Sequence, residues 1–206
     1  MRELPPLYNR VMSLPESSSS VTNLTNHCLL AMPNMADPNF DETLVLIAEH
    51  SEAGAMGVVI NRAMAIDLAG LFERINLSLP AAMAEVAARP VLYGGPVQPE
   101  RGFVLHRPGG QWQASQNISD EIALTTSRDI LDAMAEGRGP EQVMVALGYS
   151  GWGPGQLENE LRQNAWLAVP ADWSLIYETP LAHRLSRAYS LLGIDRDLFH
   201  GTAGHA

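Results

Sequence analysis

VMVALGYSGWGPGQLENELRQNAW, residues Val143 to Trp166, opens as an apolar β-type run, breaks into glycines and continues as a polar helix. Val143 to Tyr149 reads as the central strand of the fold. The turn after it is a candidate site, because glycines let a ligand approach the main chain and the first amides of a helix carry partial positive charge. Glu158 and Glu160 already complement that charge from the first turns. An anion would meet competing carboxylates, so the turn suits a neutral or cationic ligand, a partner, or the fold itself. In the last case Gly153 and Pro154 simply start the helix while Trp152 fills the core. Glu158 stands four residues before Arg162, a spacing that predicts a solvent-facing ion pair.

Outward from this segment the chain reads as strands in consecutive groups with a few helices between them. Asn26 to Met32, Thr43 to Ala48 and Met56 to Asn61 are apolar on successive residues, the pattern of strands covered on both faces. Asp67 caps a helix with its apolar face at Leu68, Leu71, Phe72 and Ile75. A second helix is expected in the alanine-rich stretch Pro80 to Ala88. Val91 to Gly94 and Gly102 to Arg107 read as strands, and Pro108 to Gly110 as a hairpin turn into Trp112 to Asn117. Ile122 to Leu124 is a short strand. Thr126 and Asp129 fit a capping box for a helix through Ile130, Leu131 and Met134. Leu157, Leu161 and Ala165 share one helical face. Thr179 and Pro180 open a last helix, closed by Gly193. Because strands and helices only partly alternate, the order predicts an α+β fold rather than a doubly wound parallel sheet.

Length and composition bound the rest. At 206 residues the chain fits one domain, and 46% hydrophobic with 17% charged residues is the balance of a globular protein. Residues 1–22, with three prolines and the run Ser17 to Ser20, read as a flexible extension, leaving 23–206 as a single domain. No run approaches the roughly 20 apolar residues of a membrane helix, and the N-terminus has no apolar signal region. A single cysteine, Cys28, excludes an internal disulfide, so a cytoplasmic location is expected. The net charge is −10 and all 13 basic residues are arginine. Lacking lysine, the chain cannot be a P-loop enzyme, a pyridoxal-phosphate Schiff-base enzyme, a Ser-Lys hydrolase or a protein kinase. Its acidity disfavours direct nucleic-acid binding, which rests on cationic contacts.

Motif tests leave no catalytic constellation. Gly148-Tyr149-Ser150-Gly151-Trp152 lacks the closing glycine of a nucleophile elbow, and Gly151, Gly153 and Gly155 miss dinucleotide-loop spacing by one residue. His27 and Cys28 are strand neighbours on opposite faces and cannot share a metal. Asp37, Asn39 and Asp41 begin like a calcium loop, but Glu42 replaces its glycine and Ala48 its closing glutamate, so Asp37 is a turn or helix cap. His50 beside Glu49 reads as a hydrogen-bonded structural histidine, and Cys28 as a buried inert thiol.

LLAMPNMADPNF (Leu29 to Phe40), EHSEAGAMGVVINR (Glu49 to Arg62), LYGGPV (Leu92 to Val97), RGFVLH (Arg101 to His106), LTTSRDIL (Leu124 to Leu131), VALGYSGWGPGQLENEL (Val145 to Leu161), NAWL (Asn164 to Leu167) and GTAGHA (Gly201 to Ala206) together resemble the signature blocks of the YqgE/AlgH family. The resemblance runs from about Leu24 to the last residue. It leaves either an added tail or a start at Met12 to account for the beginning. It implies a bacterial cytoplasmic protein with a mixed, mostly antiparallel bifurcated sheet folded into a partial barrel, helices packed around it, and a family label of transcriptional regulator. It supplies no catalytic residues, and its pattern does not require a cysteine at position 28.

The expected function is therefore a non-enzymatic regulatory or interaction protein with an unidentified protein or small-molecule partner, no cofactor and no metal. The alternative is a ligand or enzyme pocket built from Asp37, Phe40, Gly94, Gly95, Pro96, Tyr149, Trp152, Gly153, Gln156 and Glu158.

Overall fold

In this computed structural model, which describes residues 23–33 and 35–194, the strand that begins at Val143 runs on through the glycines to Trp152. The predicted extension 1–22 and the terminal GTAGHA block lie outside the described residues.

The chain first lays down four strands, β1 (His27–Ala31), β2 (Leu44–Ser51), β3 (Gly54–Val59) and β4 (Ala63–Asp67). Helix α1 (Leu68–Arg74), a 3₁₀ turn at Ala81–Met83 and the single turn α2 (Ala84–Ala87) follow. Next come β5 (Pro90–Tyr93), β6 (Val97–His106), β7 (Ser115–Asn117), β8 (Ala123–Thr125) and α3 (Asp129–Ala135). After β9 (Val143–Trp152) the chain forms α4 (Gln156–Arg162), β10 (Trp166–Pro170), a π-helical turn at Ser174–Glu178, a 3₁₀ turn at Leu181–His183 and α5 (Arg184–Leu191).

Among the described residues the strands form one curled sheet in the order β10-β1-β2-β3-β9-β6-β8-β7, every neighbouring pair antiparallel. It makes a half-barrel of α+β class. One edge of β9 pairs with β6, while the other is shared: β5 pairs in parallel at Ala146 and Leu147, and β3 antiparallel from Ser150 to Trp152. The sheet therefore forks at Gly148, and β4 extends the branch through β5.

The fork explains three glycines. Gly94 stands between the branches, its amide donating to the Leu147 carbonyl and its carbonyl accepting from Val59. A Cβ at Gly94 would lie 2.2 Å from the Gly148 oxygen, and one at Gly148, where φ is +74°, would lie 2.3 Å from the Gly95 oxygen. Two backbones meet there at a separation that no side chain permits.

Apolar residues on consecutive strand positions sort to both faces, as the sequence predicts. Cys28, Leu30, Leu44, Leu46, Val58 and Ile60 pack towards α5 and the π-helical turn. Leu29, Ala31, Val45, Ile47 and Val59 pack with Trp152, Leu157 and Trp166 on the side of α4. A third cluster sets α1 and α3 against β9 through Phe72, Ile130, Met134 and Val145.

Several local expectations need correction. β7 does not pair with β6 across Pro108–Gly110; β8 inserts between them, because Ser115 registers with Thr125 and Val104 pairs with the same residue from the other side. The Thr126–Asp129 capping box does not form: Asp129 accepts from Ser127 Oγ and from the amides of Gln113 and Ile130, tying the loop before β7 to the helix start. Arg162 does not pair with the Glu158 carboxylate; it donates to the Glu158 main-chain carbonyl and to Asn159. The Asp67 cap forms as expected, accepting from Gly70.

Candidate functional site

The residues singled out in the sequence fall in three places. The first is a packed outer face around α4. Phe40 stacks on Trp152 at 6.0 Å and meets Trp166 edge-on at 5.5 Å, and the two indoles are 5.9 Å apart. Both indole N–H groups donate to one carboxylate oxygen of Glu160 at 2.8 Å, and Gln156 donates to the other. Gln156 in turn accepts from the Gly153 amide. Trp152 and Trp166 are 5% and 2% exposed, so Glu160 satisfies the indole donors of two buried side chains. Glu158 accepts from His50 at 3.0 Å. The His50 Nδ1 accepts from the Leu24 amide, which places the ring proton on Nε2.

The second place is the fork itself, where Gly94 and Gly95 are buried and Ser150 donates from its hydroxyl to the Gly94 carbonyl at 3.3 Å. Pro96 follows on the surface. The third is the turn at Asp37, whose carboxylate accepts from the amide and side chain of Asn39. Arg62 clasps this turn, donating to the carbonyls of Pro38, Asn39 and Asp41, and Tyr93 donates to Asn39.

Tyr149, Gly151 and Trp152 border a different feature, a cleft of about 650 Å³. One wall is the β2–β3 hairpin from Glu49 to Met56, and the other is Gln113 to Gln116 with β7. A register shift between Ile47 and Glu49 interrupts the ladder at Ala48, and Gln116 Nε2 donates to that carbonyl at 3.2 Å, joining the walls. Phe103, Leu124 and Tyr149 form an apolar floor, with the Phe103 and Tyr149 rings 5.6 Å apart.

Arg101 supplies cationic charge to the cleft. Its guanidinium lies 5.4 Å over the Phe103 ring and donates to Gln98 and Thr126 through contacts of 3.3 and 3.4 Å. Among the described residues no carboxylate is within 4.0 Å of it.

Behind the cleft wall runs a chain of hydrogen bonds. Ser115 Oγ is 2.9 Å from Thr125 Oγ1, which is 2.8 Å from His106 Nε2, while His106 Nδ1 is 2.6 Å from the Arg107 carbonyl. A carbonyl only accepts, so Nδ1 carries the proton, Thr125 donates to Nε2 and Ser115 donates to Thr125. Burial pushes the His106 pKa below its ordinary value, against the opposing pull of the bond to Arg107, and keeps the ring neutral at pH 7. The sequence offers no spacing signal for this chain: 19 residues separate His106 from Thr125, and only the β6–β8 register unites them.

No group of three His, Cys, Asp or Glu side chains among the described residues is arranged to hold a metal ion, and no helix there is long and apolar enough to cross a membrane. Cys28 is fully buried, and burial raises its thiol to a pKa of about 12, with Asp172 adding to the rise and Arg184 opposing it.

Comparison with known proteins gives a consistent result. A family model described as AlgH-like matches residues 28–197. A UPF0301 protein of Azoarcus sp. (strain BH72) is 53% identical over 184 residues, covering 89% of this chain and 97% of the relative. Another, from Thiobacillus denitrificans, is 52% identical over 185 residues, 89% and 98% of the two chains. The solution structure of the AlgH protein from Pseudomonas aeruginosa superposes with a TM-score of 0.73 at 46% identity, over 92% of this chain and all of that one. A crystal structure of a protein from Corynebacterium diphtheriae, 21% identical, shares the fold with a TM-score of 0.61 over 80% of this chain and 86% of that one.

Proposed function

The chain belongs to the AlgH-like family, and from that premise we propose that it is a non-enzymatic, cytoplasmic regulatory protein that binds a small molecule in its concave cleft. One observation carries the reading: Arg101, without a carboxylate partner, stands over an aromatic floor in a cleft of about 650 Å³. That volume is within the range of small-molecule sites, which run to roughly 300–1,000 Å³ with a few polar groups fixing orientation. The ligand class is a planar or apolar body resting on Phe103 and Tyr149 with an anionic group at Arg101. Of the candidates read from the sequence, Tyr149 and Trp152 border this site. Asp37, Phe40, Gly94, Gly95, Pro96, Gly153, Gln156 and Glu158 act as its frame, since their partners are neighbouring groups of the fold. The net charge of −10 supports control through a ligand or protein partner rather than by gripping a phosphate backbone.

Thermal-shift and native mass spectrometry screens with aromatic and heteroaromatic carboxylates and phosphates test this. Binding that weakens at least tenfold in Arg101→Ala supports it. Absence of any bound species across those classes sinks it.

A second reading has one observation in its favour, the Ser115–Thr125–His106 chain ending on the cleft wall. Ser115 Oγ would attack an acyl carbon while its proton passes through Thr125 to His106 Nε2, and the same relay would return it through Thr125 to the leaving group as the bond to the acyl carbon breaks. Labelling of Ser115 by a fluorophosphonate would establish it, and no labelling above that of Ser115→Ala would dismiss it. Thr125 and His106 are 0% and 1% exposed, which equally suits pinning three strands together.

A further inference from the structure

Arg184, the first residue of α5, is 7% exposed and faces no carboxylate within 4.0 Å among the described residues. Its Nη1 donates to the Ile60 carbonyl at 2.5 Å and its Nε to the Thr179 carbonyl at 3.2 Å. Neutral acceptors disperse a buried positive charge but do not balance it. The same guanidinium lines a pocket of about 210 Å³ with Arg89, Gln142 and Tyr177. Arg89 anchors itself there by donating to the Val143 carbonyl at 3.3 Å. The Tyr177 hydroxyl is buried and has no hydrogen-bond partner. Its ring is fixed against Trp173 at 3.8 Å, and Arg107 lies 3.7 Å over the other member of that stack. Arg107 also donates to Gln142 at 3.3 Å and pairs with Glu121 at 3.8 Å, so a third arginine, balanced by its own carboxylate, stands beside the pocket. No aspartate or glutamate lines this pocket.

We propose that this pocket, between the start of β9 and the start of α5, binds a small oxyanion through Arg184, Arg89 and the Tyr177 hydroxyl. Two guanidinium groups supply in-plane N–H donors suited to phosphoryl or carboxylate oxygens. The phenol donates to a third oxygen and thereby gains the partner it lacks. An anion at this point balances Arg184, and in a chain of net charge −10 a local excess of arginine selects charge that the surface as a whole repels. The site lies on a different set of residues from the concave cleft, so the two are separable by mutation.

The test uses the full chain and inorganic phosphate as probe, with sulfate, acetate and chloride compared at one ionic strength. Melting temperature and isothermal titration calorimetry are read for the wild type, Arg89→Gln, Tyr177→Phe and Arg101→Gln. The expected result is a rise in melting temperature with at least one oxyanion over chloride. Affinity falls about tenfold or more in Arg89→Gln and several-fold in Tyr177→Phe, and stays unchanged in Arg101→Gln. A response to phosphate and sulfate identifies a phosphoryl-type ligand, and a response to acetate alone identifies a carboxylate. Tyr177→Phe removes only an unpartnered hydroxyl, so it folds without the anion and keeps the test decisive if Arg89→Gln does not. Equal melting in all four salts, or an oxyanion response that survives both Arg89→Gln and Tyr177→Phe, overturns the proposal.

Discussion

Glu160 accepts from both Trp152 and Trp166, and each indole would be left with an unmade hydrogen bond in a closed environment if that carboxylate were removed. Glu160→Ala is therefore expected to lower stability by about 2–4 kcal/mol in urea unfolding, since an unsatisfied buried donor costs roughly 1–3 kcal/mol. Gly148 faces a steric limit instead. Gly148→Ala combines left-handed φ strain with overlap on the Gly95 carbonyl, and a loss of about 2–5 kcal/mol is expected by the same measurement. His106 gives a signed pH effect. Its folded pKa is depressed, so below about pH 6.5 the unfolded chain takes up a proton on this ring before the folded one does. Its contribution to stability is complete above that pH and falls as pH drops towards the folded pKa. Subtracting the unfolding free energies of His106→Gln from those of wild type between pH 7.5 and 5 should reveal that loss; a flat difference would refute the assignment.

At the scale of elements, burial pattern was readable and pairing was not. Alternating faces of Leu44 to Ile47 serve two cores, so the run is apolar throughout and announces a strand. β4 and β10 have no clear signal in the sequence, because Ala63–Asp67 is a short, half-exposed edge strand and Trp166–Pro170 follows a helix without a clear glycine stop. Nothing local tells β7 to pair with β8 rather than β6; that depends on which strand comes alongside Ser115, and it is Thr125 of β8, not Val104 of β6, that does. The resemblance to a known family carried the forked half-barrel, which no periodicity encodes. The site residues show the same division. Tyr149 and Trp152 stand in the glycine-rich stretch that marks itself in the sequence, whereas Arg101, Ser115 and His106 become a group only when β6, β7 and β8 come together beside the β2–β3 hairpin. Arg62 offers an element-level test, because it gathers three carbonyls of the Asp37–Asp41 turn. In Arg62→Ala, amide exchange at Phe40 and Asp41 should accelerate about tenfold or more while β9 is unaffected, as expected for a local opening that follows loss of more than one hydrogen bond.

Across the whole molecule, the fork sets the shape on which the proposed function rests. Because β9 gives one edge to two partners, its far end carries Tyr149, Gly151 and Trp152 beside β3, and these residues line one cleft together with Phe103 and Arg101 of β6. Cations in this acidic chain are few, and those at Arg101 and Arg184 stand without carboxylate partners among the described residues. The most direct measurement of the central claim is native mass spectrometry of the full chain with a library of aromatic carboxylates and phosphates, run in parallel on Arg101→Ala and Arg184→Gln. Concave-cleft binding predicts a one-to-one complex in wild type that Arg101→Ala weakens at least tenfold and a folded Arg184→Gln retains. A complex that Arg101→Ala leaves intact, or no complex with any member of the library, would contradict it.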